Sequence, residues 1–116
     1  MRSINVITPG TLPLTIYRKS TFDRLLRFKA AGLPLNLAGY VVLAQLWDLD
    51  RTYKVDSFQI LRGSDESGEV TLFLSSTQTS NLKNPGVYDV KLIEPSGREY
   101  FWLKGRYTIK EGLTDD

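Results

Sequence analysis

Apolar and polar side chains alternate with a period of two over most of this sequence, and that is the repeat of a half-buried strand rather than of a helix. Residues 11–18 set Leu12, Leu14 and Ile16 against Pro13, Thr15 and Tyr17, with Pro13 confining the segment to a sheet edge or a strand start. Residues 21–29 place Phe22, Leu26 and Phe28 on one face. Arg24 interrupts that row and is expected near the strand's open end, where a long side chain reaches water. Residues 30–39, with their Gly, Pro and Asn, are expected to form a loop. Residues 40–49 carry Tyr40, Val42, Ala44 and Leu46 on one side and Val41, Leu43, Trp47 and Leu49 on the other, so both faces require cover.

The second half continues the pattern. Residues 57–62 and 69–75 are expected to pair across the turn 63–68, bringing Phe58 and Ile60 to Val70, Leu72 and Leu74. Residues 87–94 direct Tyr88, Val90 and Leu92 inward. The turn Pro95, Ser96, Gly97 leads into residues 98–110, whose alternation puts Phe101, Leu103, Tyr107 and Ile109 on the inner face and Tyr100 and Trp102 on the outer. Residues 75–84 are rich in Ser, Thr and Asn without alternation and are read as one short helical turn.

About seven strands with turn chemistry between them predict an all-β fold, a two-sheet antiparallel sandwich. Residues 1–10 form an N-terminal arm, residues 11–110 the sandwich and residues 111–116 a polar tail. Pro85, Gly86, Val87 and Tyr88 have the spacing of the corner before the sixth strand of immunoglobulin-like domains, where a tyrosine bonds back to the corner backbone; an ordinary core tyrosine after a Pro-Gly turn is the other reading.

Composition narrows the chemistry. The 116 residues are 41% apolar and 24% charged, the balance of a globular chain, and at this length a core needs no metal or disulfide staple. Cysteine and histidine are both absent, which excludes disulfides, thiol catalysis, His-dependent triads and Cys- or His-ligated metals. No cofactor is expected: there is no Gly-x-Gly-x-x-Gly or Walker lysine pattern, and the acidic pairs Asp48/Asp50 and Asp65/Glu66 with Glu69 lack calcium-loop spacing. Fifteen basic and thirteen acidic residues leave +2, too little for a nucleic-acid partner, and the basic run 18–29 buries its Phe22 and Phe28. The charge is unequally divided, +5 in residues 1–62 and −3 in residues 63–116, which favours head-to-tail contacts between copies. The uncharged stretch 30–47 is broken by Gly32, Pro34, Asn36 and Gly39, so no membrane partner is expected, and residues 1–10 lack a secretory signal's apolar run.

Large apolar groups on the outer faces carry the functional expectation. Trp47, Leu49, Tyr100 and Trp102, together with Ile4, Val6, Ile7 and Leu12 of the arm region, are the candidate interface residues, because exposed ring surface is covered by another chain, used as a platform, or covered by the protein's own arm or loop, and Ile4, Val6 and Ile7 could cover their own domain or a neighbour by strand addition. A sugar-stacking platform of Trp47, Tyr100 and Trp102 is the alternative.

A family resemblance rests on residues 33–109. The Leu37-x-Gly39-Tyr40 entry, the strand ending Gln45-Leu46, the Gly68-Glu69-Val70-Thr71-Leu72 strand, the Thr77-Gln78-Thr79 to Leu82 turn, Gly86-x-Tyr88-Asp89-Val90 and the Pro95-Ser96-Gly97 hairpin leading to Leu103-x-Gly105 follow in order. This succession resembles the small Ig-like β-sandwich domains of tailed-bacteriophage tail and baseplate proteins. The resemblance implies a non-enzymatic virion part at the tail tip, baseplate or fibre attachment, made in the bacterial cytoplasm. Its partners would be other tail and baseplate proteins and copies of itself in a symmetric ring. A single sandwich without a fused fibre fits an adaptor better than a receptor binder.

Overall fold

The computed structural model describes residues 10–113. In chain order the strands are β1 (Gly10–Thr11), β2 (Leu14–Tyr17), β3 (Phe22–Arg27), β4 (Lys29–Ala30), β5 (Leu33–Pro34), β6 (Val41–Asp48), β7 (Lys54–Ser57), β8 (Gln59–Arg62), β9 (Glu69–Leu74), β10 (Gly86–Ile93) and β11 (Glu99–Lys110). A single α-helical turn, α1 (Ser76–Ser80), follows β9, and a 3-10 turn spans Asp65–Ser67. The larger sheet runs β1-β11-β10-β6-β7 with β2 also on β11, and the smaller runs β3-β9-β8. The expected all-β sandwich is the observed fold.

Its two layers enclose one core. Val42, Ala44 and Leu46 of β6, Tyr88, Val90 and Leu92 of β10, and Leu14 and Ile16 of β2 face Leu26, Phe58, Val70, Leu72 and Leu74 of the opposite layer. Burying each such aliphatic side chain contributes about 1.5–3 kcal/mol, so the alternation itself selects this pairing of faces. The chain changes layer at Phe58: β7 belongs to the larger sheet, β8 to the smaller, and the Phe58 amide still donates to the Ala44 carbonyl (3.0 Å) as its ring turns inward. Arg24 lies in the inner row, opposite Leu72, yet is exposed. It sits mid-strand rather than at an open end, and its escape to water is sideways, because β3 is an edge.

The first strands depart from antiparallel order. Both β1 and β2 lie parallel to β11, with Gly10 opposite Leu103 and Leu14 opposite Tyr107. Among the described residues pairing begins at Gly10, the last residue assigned to the arm. Pro13 falls between the two short strands, where no ladder donor is required. At that crossing the Leu12 amide donates to the Lys104 carbonyl (3.0 Å), and the Leu12 carbonyl accepts the Tyr88 hydroxyl (2.5 Å). Gly105 makes the approach possible, since a Cβ there would lie 2.1 Å from the Leu12 carbonyl oxygen. The corner reading of Tyr88 is therefore corrected: its hydroxyl does not return to the 85–88 corner but crosses to Leu12, between β1 and β2 and 76 residues away in sequence.

Three short elements lie outside the expected strands. Residues 29–34, expected as loop, contain the β4–β5 ladder, turned by Ala31 and Gly32 with φ of 54° and 79°. Two successive positive φ values are the mark of a tight two-residue hairpin turn. β7 is the third, formed opposite the end of β6. The expected helical turn is α1, closed by a capping box in which Ser75 Oγ accepts from the Gln78 amide (3.1 Å) and Gln78 Oε1 accepts from the Ser75 amide (2.9 Å).

Candidate interaction surface

The outer face of the larger sheet is built by three long strands, β6, β10 and β11. Across β6, β10 and β11 its outward rows are Trp47–Val87–Arg106, Gln45–Asp89–Lys104, Leu43–Lys91–Phe101 and Val41–Ile93–Glu99. Val41, Leu43 and Phe101 are 48%, 44% and 51% exposed, and Trp47, Val87 and Ile93 are half-buried beside them. Six apolar side chains thus share one solvent-facing surface, with the polar row Gln45–Asp89–Lys104 between Trp47 and Val87 at one end and the other four.

A β-bulge decides which rings reach this face. The β10–β11 register passes from Val90 opposite Leu103 to Lys91 opposite Phe101, leaving Trp102 without a partner. One extra residue reverses every side chain beyond it. Phe101 therefore points outward. Tyr100, opposite buried Leu92, points inward, and Trp102 packs edge-on against Phe28 with ring centroids 5.5 Å apart. The expected orientation of the last strand holds at Leu103 and Tyr107, and it is corrected at Tyr100, Phe101 and Trp102. The one sequence sign of the change is the run Tyr100-Phe101-Trp102-Leu103, four large apolar residues where alternation should have placed polar ones.

Tyr100 and Trp102 instead line a groove of about 700 Å³ that opens between the layers beside Gly10, with Phe28, Leu35 and Tyr40. The Tyr100 hydroxyl is buried there without a hydrogen-bond partner. Burial, then the neighbouring Glu94 and Tyr100, push the Tyr40 phenol above its ordinary range. The remaining candidates are scattered. Trp47 lies on the outer face, its indole N–H donating to Gln45 Oε1 (3.1 Å). Leu49 is exposed in the loop after β6, and Leu12 is half-buried against the core. Ile4, Val6 and Ile7 lie outside the described residues.

Electrostatics on the face are organised around β10. Lys91 forms an ion pair with Glu99, and its ammonium stands 5.3 Å from the centre of the Phe101 ring. Two residues back, burial raises the Asp89 carboxyl above the usual range, against the opposing pull of Arg51 and Lys91. The other carboxylates serve the fold. Asp48 accepts the Thr52 hydroxyl (2.5 Å) and the amides of Thr52 (2.7 Å) and Tyr53 (3.0 Å), and these bonds, the hydroxyl's foremost, hold it below the usual range. Asp65 pairs with Arg62 and Glu69 with Arg27, so the acidic turn is spent on local ties. Among the described residues no three Asp, Glu, His or Cys side chains converge as a metal site, and no helix is long and apolar enough to cross a membrane.

No protein-family model and no curated protein matches the sequence. Among solved structures, the fold is similar to the N-terminal domain of phage TP901-1 ORF48, with a TM-score of 0.57 over 89% of this chain and 90% of that one, at 11% sequence identity.

Proposed function

We propose that this protein is a non-enzymatic structural part of a phage virion, a tail or baseplate adaptor that works by protein–protein contact through the outer face of its larger sheet. The observation that carries this reading is the likeness of fold to a phage protein domain over nearly the whole of both chains. The resemblance of residues 33–109 to Ig-like tail domains supports it independently. The strand order β3-β9-β8 against β11-β10-β6-β7, with the first strands parallel to the last, is compatible with the Ig-like domain that this resemblance implies. Its partners are other tail proteins and further copies of the chain, and its place is the virion.

The sugar-platform alternative loses its geometry. Its three rings do not share a surface: Trp47 lies on the outer face, while Tyr100 and Trp102 turn into the inter-layer groove.

Mass spectrometry of purified particles tests the proposal. The chain should be present at a fixed multiple of the other tail proteins, and Phe101→Glu should remove it from particles while leaving it folded. Particles complete without the chain, or full incorporation of the Phe101→Glu variant, would refute the reading.

A further inference from the structure

The outward rows carry a charge pattern that fits a second copy of the same face. In β10, Asp89 and Lys91 stand two residues apart at the centre. Rotating a second sheet by 180° about an axis lying in the contact plane and crossing the strands between these two residues sets Asp89 against the partner copy's position 91, and position 91 against its 89. The same operation matches every other row. Val87 meets 93, Trp47 meets 41, Gln45 meets 43, Lys104 meets 101 and Arg106 meets 99, so acid meets base in two pairings, with Lys91 and Glu99 sharing the ion pair they make with each other inside each copy, apolar meets apolar in two more, and polar meets apolar in the last two. A two-fold axis along the strands instead places Asp89 on Asp89 and Lys91 on Lys91, which like-charge repulsion disfavours. Of these two orientations the register therefore favours the first.

We infer that two copies of this protein stack through the outer faces of their larger sheets as a two-fold dimer with antiparallel β10 strands. An isologous contact requires self-complementarity of this kind. Aligned sheets pack about 10 Å apart with a crossing angle near −30°, which keeps the central Asp89–Lys91 pairs in register and loosens the corners. From strand spacing and rise, the three long strands offer a footprint of roughly 400 Å², and about 650 Å² with the flanking strands. Two such footprints total ~800–1,300 Å², around the ~1,000 Å² at which specific interfaces begin, so the dimer is concentration-dependent rather than obligate. This inference rests on reading that face as an interface and commits it to a second copy.

Sedimentation equilibrium of the purified chain from about 1 μM to 1 mM, a range that brackets such modest interfaces, is the test. The expected result is a monomer–dimer equilibrium weakened by salt. Arg106→Glu, an exposed change facing Glu99 of the other copy, should weaken association at least about tenfold, and the swap Glu99→Arg with Arg106→Glu should restore it. Leu61→Arg, on the outer face of the smaller sheet, should have no effect. A monomer throughout the range, an Arg106→Glu dimer of unchanged strength, a swap that stays monomeric, or loss of the dimer in Leu61→Arg would each overturn the inference. A monomer that still enters particles would leave the adaptor reading standing, whereas a dimer absent from particles would sink that reading alone.

Discussion

Replacing Gly105 by Ala tests how the first strands are held to the sandwich. The added methyl would sit 2.1 Å from the Leu12 carbonyl oxygen and 2.8 Å from its carbon, and these are backbone atoms that cannot rotate away. Leu12 must therefore retreat, breaking its amide bond to Lys104 and withdrawing the acceptor of the Tyr88 hydroxyl. Each hydrogen bond contributes about 1 kcal/mol, and a buried hydroxyl left unsatisfied costs a further 1–3 kcal/mol, giving roughly 3–5 kcal/mol in all. Against a domain stability of about 5–15 kcal/mol that is a large fraction. Urea denaturation followed by circular dichroism should show the midpoint falling without a change of fold, and the melting temperature should drop by roughly 12–20 °C at ~4 °C per kcal/mol. Tyr88→Phe alone should cost about 1–1.5 kcal/mol. In the Gly105→Ala background it should instead recover about 1–3 kcal/mol, since it removes the hydroxyl left unsatisfied, giving a coupling of roughly 2–4.5 kcal/mol in the cycle. A Gly105→Ala loss under ~1 kcal/mol, or strict additivity of the two changes, would show that Leu12 is not the element they share.

The bulge in β11 predicts that Trp102→Ala destabilises by ~2–4 kcal/mol while Phe101→Ser stays within ~0.5–1 kcal/mol, as urea titrations of the two variants would show; equal losses would place both rings on one face. Burial raises the phenols of Tyr88 and Tyr107 to about 12. The folded state therefore keeps protons that the unfolded state gives up from pH 10, so their contribution is whole below pH 10 and is lost as pH rises through 12. Phenolate absorbance should show two of the six tyrosines ionising last, and the urea midpoint should fall over that interval. Ser75→Ala removes one arm of the capping box and should cost about 1 kcal/mol by thermal melting, with faster amide exchange at Gln78.

The sandwich was legible because it follows from a repeat of two and its turns. Val42, Ala44 and Leu46, or Tyr88, Val90 and Leu92, can bury together only if the strands pair as they do. The missed pieces each obey a rule that alternation does not encode. A bulge inserts one residue and leaves the composition of β11 unchanged, so the inner and outer rings exchanged places with little local sign. Positive φ at Ala31, a residue type that seldom takes it, hid the β4–β5 hairpin, although Gly32 beside it was half of the signal. The helical turn was readable as a loop breaker, and its Ser75-x-x-Gln78 spacing would have placed its first residue. The acidic turns looked like candidate ligands because sequence cannot show that Arg62 and Arg27 already hold them.

The margins of the two layers are blunt. Among the described residues one side of the larger sheet closes on four-residue β7, the other on strands interrupted at Pro13, and the smaller sheet ends on β3 with Asp23, Arg24 and Arg27 and on four-residue β8. Such borders give an incoming strand little ladder to extend, so runaway lateral polymerisation into fibrils is discouraged. Copies crowded at high local concentration can then meet broadside without zipping together at their rims.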